Sequence, residues 1–301
     1  MNELVLPTLY GLSLFSGIRG IDYGVEYILP QSKTICYVEG EIFAAKILYQ
    51  KMQKGELPHA PIYSDVRTFP SVAHNFSEKV DFITAGFPCQ PFSKAGSRKG
   101  TKDNRWLWDS ILQTIKQTRP SFLFLENVSN LVNEWGAFDE ISKSLSKIGF
   151  DIEWANVRAS DVGANHKRNR LFIFAYKQGS LSKLILTNPN SQRRNTNFKN
   201  LRCWESDSLW KGIVFTKSHN DGKSIMPIRN QKGGFIKQPK SNFEPSWWRG
   251  NPPFSAVCRV DDGISYRMDR LRSLGNAVVP FQASQAYYHL IQRAIIGISK
   301  S

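Results

Sequence analysis

The chain has 301 residues, 41% hydrophobic and 22% charged, a balance that suits a soluble globular protein with one large core, or a large domain plus a small one. No apolar run reaches the roughly eighteen residues of a membrane span, and MNELVLPTLYGLSLF at the start carries an acid and no basic leader region. Four cysteines (Cys36, Cys89, Cys203, Cys258) without CxxC spacing argue against a zinc site or a disulfide framework and for a reducing, cytoplasmic setting, while a net charge of +15 suits a polyanionic partner.

LYGLSLF (9–15) reads as a buried strand that runs into the glycine turn SGIRG, and IDYGVEYIL then begins a helix. TICYVE (34–39) is a second strand, followed by the helical spacing of EIFAAKILYQKM; PIYSD (61–65) and VDFITAG (80–86) are the third and fourth. RWLWDSILQTIKQ (105–117) is helical, SFLFLE (121–126) is a fifth strand, and FDEISKSLSKIG (138–149) is a helix that stops at glycine. FDIEWANVRA (150–159) and RLFIFAYK (170–177) are two more strands. Strands alternating with helices predict an α/β fold, a doubly wound and mostly parallel sheet covered on both faces. Ligands in such sheets bind at the carboxyl ends of the strands. Polar or unusual residues do follow each strand: Ser16-Gly17, Glu39, Asp65, Pro88-Cys89-Gln90 and Glu126-Asn127.

The pattern breaks after residue 177. Residues 177–258 hold fourteen Lys/Arg against four Asp/Glu, so this quarter of the chain carries +10 of the net +15. Aromatics interleave with the charge: Phe198, Trp204, Trp210, Phe215, Phe235, Phe243, Trp247 and Trp248. A solvated loop region accounts for the charge alone; charge with aromatics suits phosphate contacts and base stacking. Order returns with RMDRLRSLGNAVVP and the amphipathic FQASQAYYHLIQRAIIG. Two domains are therefore expected: 1–177 with 259–301 as the catalytic, cofactor-binding unit, and 178–258 as a small irregular one.

The residues at the strand ends are candidates for chemistry, each with a plainer alternative. Gly17 and Gly20 let a backbone approach a ligand, and they also serve simple helix–sheet packing. Glu39, about twenty residues beyond the glycine turn, suits a ribose diol, or caps the next helix. The GxGxxG fingerprint is absent, which disfavours a nicotinamide cofactor. Cys89, framed by Pro88 and Pro91, suits a thiolate nucleophile, where a free cysteine is otherwise a small buried hydrophobe. SKAGSRKGTKDNR behind it reads as a mobile basic lid. Glu126 suits a proton donor to a substrate ring, or a cap. Arg168 and Arg170 in HKRNR suit a phosphate and a base carbonyl, or a basic surface hairpin.

ITAGFPCQPFS, ENV (126–128), HKRNR before an apolar strand, and GNAVVP (275–280) resemble, in order and spacing, the motifs of the DNA (cytosine-5)-methyltransferases. The likeness covers residues 9–176 and about 264–295. It implies a Rossmann-like S-adenosylmethionine methyltransferase sheet, with 178–258 in the place of the family's target recognition domain. By resemblance, Cys89 adds to C6 of a cytosine flipped out of duplex DNA, and C5 then accepts the methyl group of S-adenosylmethionine. Glu126 contacts N3 and the exocyclic amine, and Arg168 and Arg170 hold the base. Phe15 stacks near the adenine, Gly17 approaches the methionine end, Glu39 takes the ribose, and Asp65 with Val66 takes the adenine amine. Pro88, Leu107, Asn276 and Ala277 complete the cofactor site; no metal is implied. Double-stranded DNA is the implied partner, with a restriction endonuclease acting on the same site as a second candidate, in a monomeric enzyme of prokaryotic or phage origin.

Three motifs depart from the family's pattern, one of them the short RMDRLRSLGN stretch before GNAVVP, which resembles the usual motif only loosely. The usual F-x-G-x-G-G has Arg19 in place of its second glycine, where an outward side chain is expected, and Q-x-R-x-R begins here with His166. Two other functions remain open at this point: a tRNA cytosine-5 methyltransferase, and a catalytically silent nucleic-acid-binding protein on the same fold.

Overall fold

The computed structural model describes residues 7–88, 106–132, 136–164, 166–187, 215–218 and 277–298. Eight strands form one sheet in the order β3-β2-β1-β4-β5-β7-β6-β8. The strands are β1 (Leu9–Leu14), β2 (Ser32–Val38), β3 (Ile62–Tyr63), β4 (Phe82–Gly86), β5 (Phe122–Val128), β6 (Phe150–Arg158), β7 (Asn169–Lys177) and β8 (Phe215–Ser218). The helices are α1 (Gly20–Ile28), α2 (Ile42–Gln53), α3 (Pro70–Ala73), α4 (Trp108–Thr118), α5 (Ala137–Lys147), α6 (Leu181–Thr187) and α7 (Pro280–Ile298). The doubly wound α/β class expected from the alternating pattern is the one observed. Among the described residues, no helix is long and apolar enough to cross a membrane.

β1 to β5 pair in parallel, whereas β7 runs antiparallel to both β5 and β6, and β8 antiparallel to β6. The central strands are apolar on both faces because helices cover both. Along β5, Leu123 and Leu125 face α4 and α5 through Ile111, Ile115, Phe138, Ile141 and Leu145. Phe122 and Phe124 face the other way, onto Val25 of α1 and Ala283, Ala286, Tyr287 and Leu290 of α7. Each fully buried Leu or Phe contributes about 1.5–3 kcal/mol, so the C-terminal helix, distant in sequence, is an integral part of this core. Within 178–258, Leu181 and Leu184 of α6 are buried in the same layer as α7, and β8 extends the sheet by pairing Phe215–Ser218 with Ala155–Ile152.

The α1–α7 crossing depends on Gly20. A Cβ there would collide with the carbonyl oxygen of Val278, so only glycine lets Val278 lie against the first turn.

Candidate functional site

The parallel strands bring their carboxyl ends to one edge of the sheet, and antiparallel β7 brings its amino end to the same edge. Residues far apart in sequence meet there.

At the end of β1 the chain turns sharply. Phe15 (φ 53), Gly17 (φ 50) and Arg19 (φ 70) are all left-handed. Glu39, at the tip of β2, straps this turn: Gly17 N donates to its Oε2 at 2.6 Å and Glu41 N to its Oε1 at 2.7 Å. Burial raises the Glu39 pKa, and the two backbone donors oppose that rise. Each carboxylate oxygen keeps one acceptor site. A Cβ added at Gly17 would meet nothing within 4 Å, so the turn opens onto free space although its φ favours glycine.

Arg19 does not point outward as expected; its side chain is buried. The guanidinium pairs with Glu26 and lies 4.7 Å from the ring centroid of Tyr23 and 5.5 Å from that of Tyr37. It belongs to the packing between α1 and β2. Its left-handed φ explains why a glycine fits this position in the family's motif.

Phe15 and Leu107 pack against the apolar layer that includes Val66, and Pro88 is half-buried just beyond β4. Asp65 follows β3, but Arg67 holds it: Arg67 Nη2 donates to Oδ2 at 2.9 Å, and Arg67 N and Nε donate to Oδ1 at 2.9 and 3.0 Å. These bonds lower the Asp65 pKa. Ala277 is half-buried ahead of Val278. Apolar wall, spare carboxylate acceptors and open turn together suit a nucleoside that carries an amino-acid tail, the shape of S-adenosylmethionine.

The second cluster lies at the end of β5. Glu126 is 7% exposed, and Arg170 Nε lies 2.7 Å from its Oε1. Burial pushes the Glu126 carboxyl up to about 7 against the pull of Arg170 and Arg168. Burial and the neighbouring Arg170 lower the Arg168 pKa, and Arg168 Nε and Nη2 are buried without a hydrogen-bond partner among the described residues. A buried guanidinium with unsatisfied donors is costly, and an incoming acceptor such as a base carbonyl or a phosphate relieves it. The cluster therefore combines a carboxyl poised to exchange a proton near neutral pH with a cation two of whose nitrogens have no acceptor among the described residues.

Cys89, Asn276 and the SKAGSRKGTKDNR stretch lie outside the described residues. The chain leading to Cys89 does not: β4, the central strand beside β5, ends at Gly86, and Asn127 Nδ2 donates to the carbonyl of Phe87 at 3.1 Å. Asn127, which the sequence places at the end of the fifth strand and in the ENV run without a role of its own, thus anchors the backbone two residues before the cysteine. Three further residues were missed. Asp22 accepts from Ser13 Oγ at 2.9 Å and Thr84 Oγ1 at 2.6 Å, which locks α1 to β1 and β4. Tyr287 Oη donates to Leu125 O at 2.9 Å, and Gln282 Nε2 donates to Val157 O and Arg168 O at 2.8 and 2.9 Å. The helical periodicity of FQASQAYYHLIQRAIIG places such residues on a buried face, but it does not reveal their partners.

Among curated proteins, the chain is similar to Type II methyltransferase M.CviJI of Paramecium bursaria Chlorella virus IL3A, 30% identical over 239 residues, 78% of this chain and 61% of the relative. It is similar also to Type II methyltransferase M1.ScrFI of Lactococcus lactis subsp. cremoris, 30% identical over 221 residues, 69% of this chain and 54% of the relative. The chain spans between half and two thirds of the length of these two relatives. Among solved structures it is similar to the S. pombe Dnmt2 methyltransferase, at 23% identity and a TM-score of 0.46, over 56% of this chain and 51% of that one. A family model for the C-5 cytosine-specific DNA methylases matches residues 9–291, from the first strand into the C-terminal helix, and the chain belongs to that family.

Proposed function

We propose that this protein transfers a methyl group from S-adenosylmethionine to C5 of a flipped-out cytosine in duplex DNA. The observation that carries the reading is the Glu126–Arg170 pair beside Arg168, whose Nε and Nη2 have no hydrogen-bond partner among the described residues. The pair stands at the sheet edge next to the strand that leads to Cys89.

In this reading the Cys89 thiolate attacks C6 of the cytosine, forming an S–C6 bond as the C5–C6 π pair moves toward C5 and N3. Glu126, its pKa raised by burial to about 7, exchanges a proton near neutral pH and in its protonated form donates it to N3, which offsets the developing charge. Arg168 donates to the ring carbonyl, and Arg170 fixes the orientation of the Glu126 carboxyl. When bound, S-adenosylmethionine supplies an electrophilic methyl group on its sulfonium. Glu39, Gly17, Phe15, Val66, Pro88, Leu107, Asn276 and Ala277 hold it, with Asp65 joining once Arg67 swings away. After methylation of C5 a base removes the C5 proton, the S–C6 bond breaks and the thiolate is regenerated. C6 is out of reach inside a duplex, so the base must leave the stack.

The basic, aromatic-rich part of 178–258 is assigned to target recognition, through phosphate contacts and base edges in the major groove. A role in a restriction-modification or phage system, beside an endonuclease for the same site, is the setting this activity fits. Methylation assays with labelled S-adenosylmethionine test the proposal on duplex DNA and on tRNA, with Cys89→Ala as control. Label on DNA that vanishes in the variant supports it; label on tRNA alone overturns it.

A further inference from the structure

We infer that Gln282, in the first turn of α7, is a positioning residue that sets Arg168 and Arg170 against Glu126. The inference rests on the proposed role of that cluster in holding the base.

Gln282 is fully buried. Its Nε2 donates to two carbonyls from different strands, Val157 O of β6 at 2.8 Å and Arg168 O ahead of β7 at 2.9 Å. Both neighbours are acceptors, so the amide must face them with its NH2 group. The β6–β7 ladder ends at the pair Arg158–Asn169, and Val157 stands opposite Arg170. Arg168 is therefore the first residue outside the ladder. Its carbonyl is held by Ala159 N at 2.9 Å and by Gln282. Nothing among the described residues holds its side chain at Nε or Nη2, so the backbone clamp is the anchor from which that guanidinium is presented. Tyr287, farther along α7, donates to Leu125 O at 2.9 Å, the carbonyl just before Glu126. One helix thus fixes both halves of the cluster.

Among the described residues, the groups that face Glu126 are Arg168 and Arg170 from the β7 side and Tyr287 from α7; Asp22 of α1 acts on Tyr287. Loosening the two arginines removes the charges that hold the Glu126 pKa down, while Tyr287 stays in place.

Gln282→Met deletes both donors and roughly keeps the volume. A carboxyl carbon-13 titration of the full-length protein reads Glu126 directly, with Glu126→Gln used to assign the signal. The midpoint is expected to rise by about 0.5–1 pH unit, single-turnover methyl transfer to slow by about tenfold or more, and affinity for a non-reactive cofactor analogue to change less than about twofold. A folded Gln282→Met protein with the wild-type Glu126 midpoint overturns the inference, as does a loss of analogue affinity in step with the rate, which marks a purely structural role. If Gln282→Met does not fold, Gln282→Asn keeps an amide on a shorter stem: the same shifts at smaller size support the inference, and wild-type values overturn it. The titration needs no substrate, so a wild-type protein unable to methylate DNA sinks the proposed function without deciding the role of Gln282.

Discussion

Arg170 Nε stands 2.7 Å from Glu126 Oε1 because the sheet changes direction between them. β5 ends at Val128 and antiparallel β7 begins beside it, pairing Arg170 with Val128 and Phe172 with Glu126. A parallel β7 would deliver its far end, and the two charges would lie at opposite edges. Glu126 is buried, so the pair is not an exposed one of negligible worth; without Arg170 its carboxylate would be burdened mainly by desolvation. Arg170→Leu is therefore expected to drive the Glu126 midpoint above its present value of about 7 and to slow methyl transfer by about 100-fold. Arg170→Lys should recover only part, because an ammonium lacks the planar fork. Carboxyl titration and single-turnover rates check both.

Glu126 also leaves a signature in stability. Its folded pKa is raised from 4.5 to about 7. Below pH 4.5 the group is protonated in both states. Between roughly 4.5 and 7 the unfolded chain has released its proton and the native state has kept it, so stability falls as pH rises and levels off above the folded pKa. The total is about 3 kcal/mol. Glu126→Gln removes that slope, so its stability relative to wild type should climb by about that amount from pH 4 to pH 8. Urea unfolding at both values measures it, and parallel profiles would refute a raised pKa.

Asn127 makes the mount for the cysteine-bearing segment testable. Its Nδ2 donates to Phe87 O at 3.1 Å and its Oδ1 accepts from Val128 N at 2.8 Å. Asn127→Asp sets a carboxylate oxygen against the Phe87 carbonyl and buries a charge. A loss of roughly 2–4 kcal/mol is expected, with methyl transfer reduced beyond what the folded fraction explains. Thermal melts and rates normalised to folded protein separate the two effects.

The proposed chemistry itself can be trapped. DNA with 5-fluorocytosine at the target keeps its fluorine after methylation, because fluorine cannot leave as a cation. The S–C6 bond then persists. Wild-type protein should form a denaturation-resistant adduct that requires S-adenosylmethionine, and Cys89→Ala should form none. A competent enzyme that gives no adduct excludes Cys89 as the nucleophile.

Much of this arrangement was legible in the sequence. The apolar runs from LYGLSLF to SFLFLE, each followed by polar residues, place the leading strands and the reactive edge. The direction of the later strands was not legible: FDIEWANVR and NRLFIFAYK read as buried strands whichever way they run. β8 escaped notice because FTKS lies in a segment of poor periodicity and joins the sheet through backbone pairing. Gln282 reads as an inward position on an amphipathic helix, but its partners lie 125 and 114 residues earlier, a separation that periodicity does not encode.

Arg19 is the case where local rules mislead. A cation in a turn reads as exposed, yet Tyr37 from β2 and Glu26 on α1 build a site for it. The backbone there is left-handed, φ 70, which disfavours any side chain. Arg19→Gly and Arg19→Ala separate the two effects. Both lose the ion pair and the ring contacts, a cost of roughly 1–3 kcal/mol because Glu26, the partner left behind, is only half-buried. Only alanine bears the left-handed strain, about 1 kcal/mol. Both variants should be less stable than wild type, with Arg19→Gly the more stable of the two by about 1 kcal/mol in denaturant unfolding. Equal stability of the two would show that the turn is not left-handed at residue 19, and a gain in Arg19→Gly over wild type would show that the buried guanidinium costs more than its partners return.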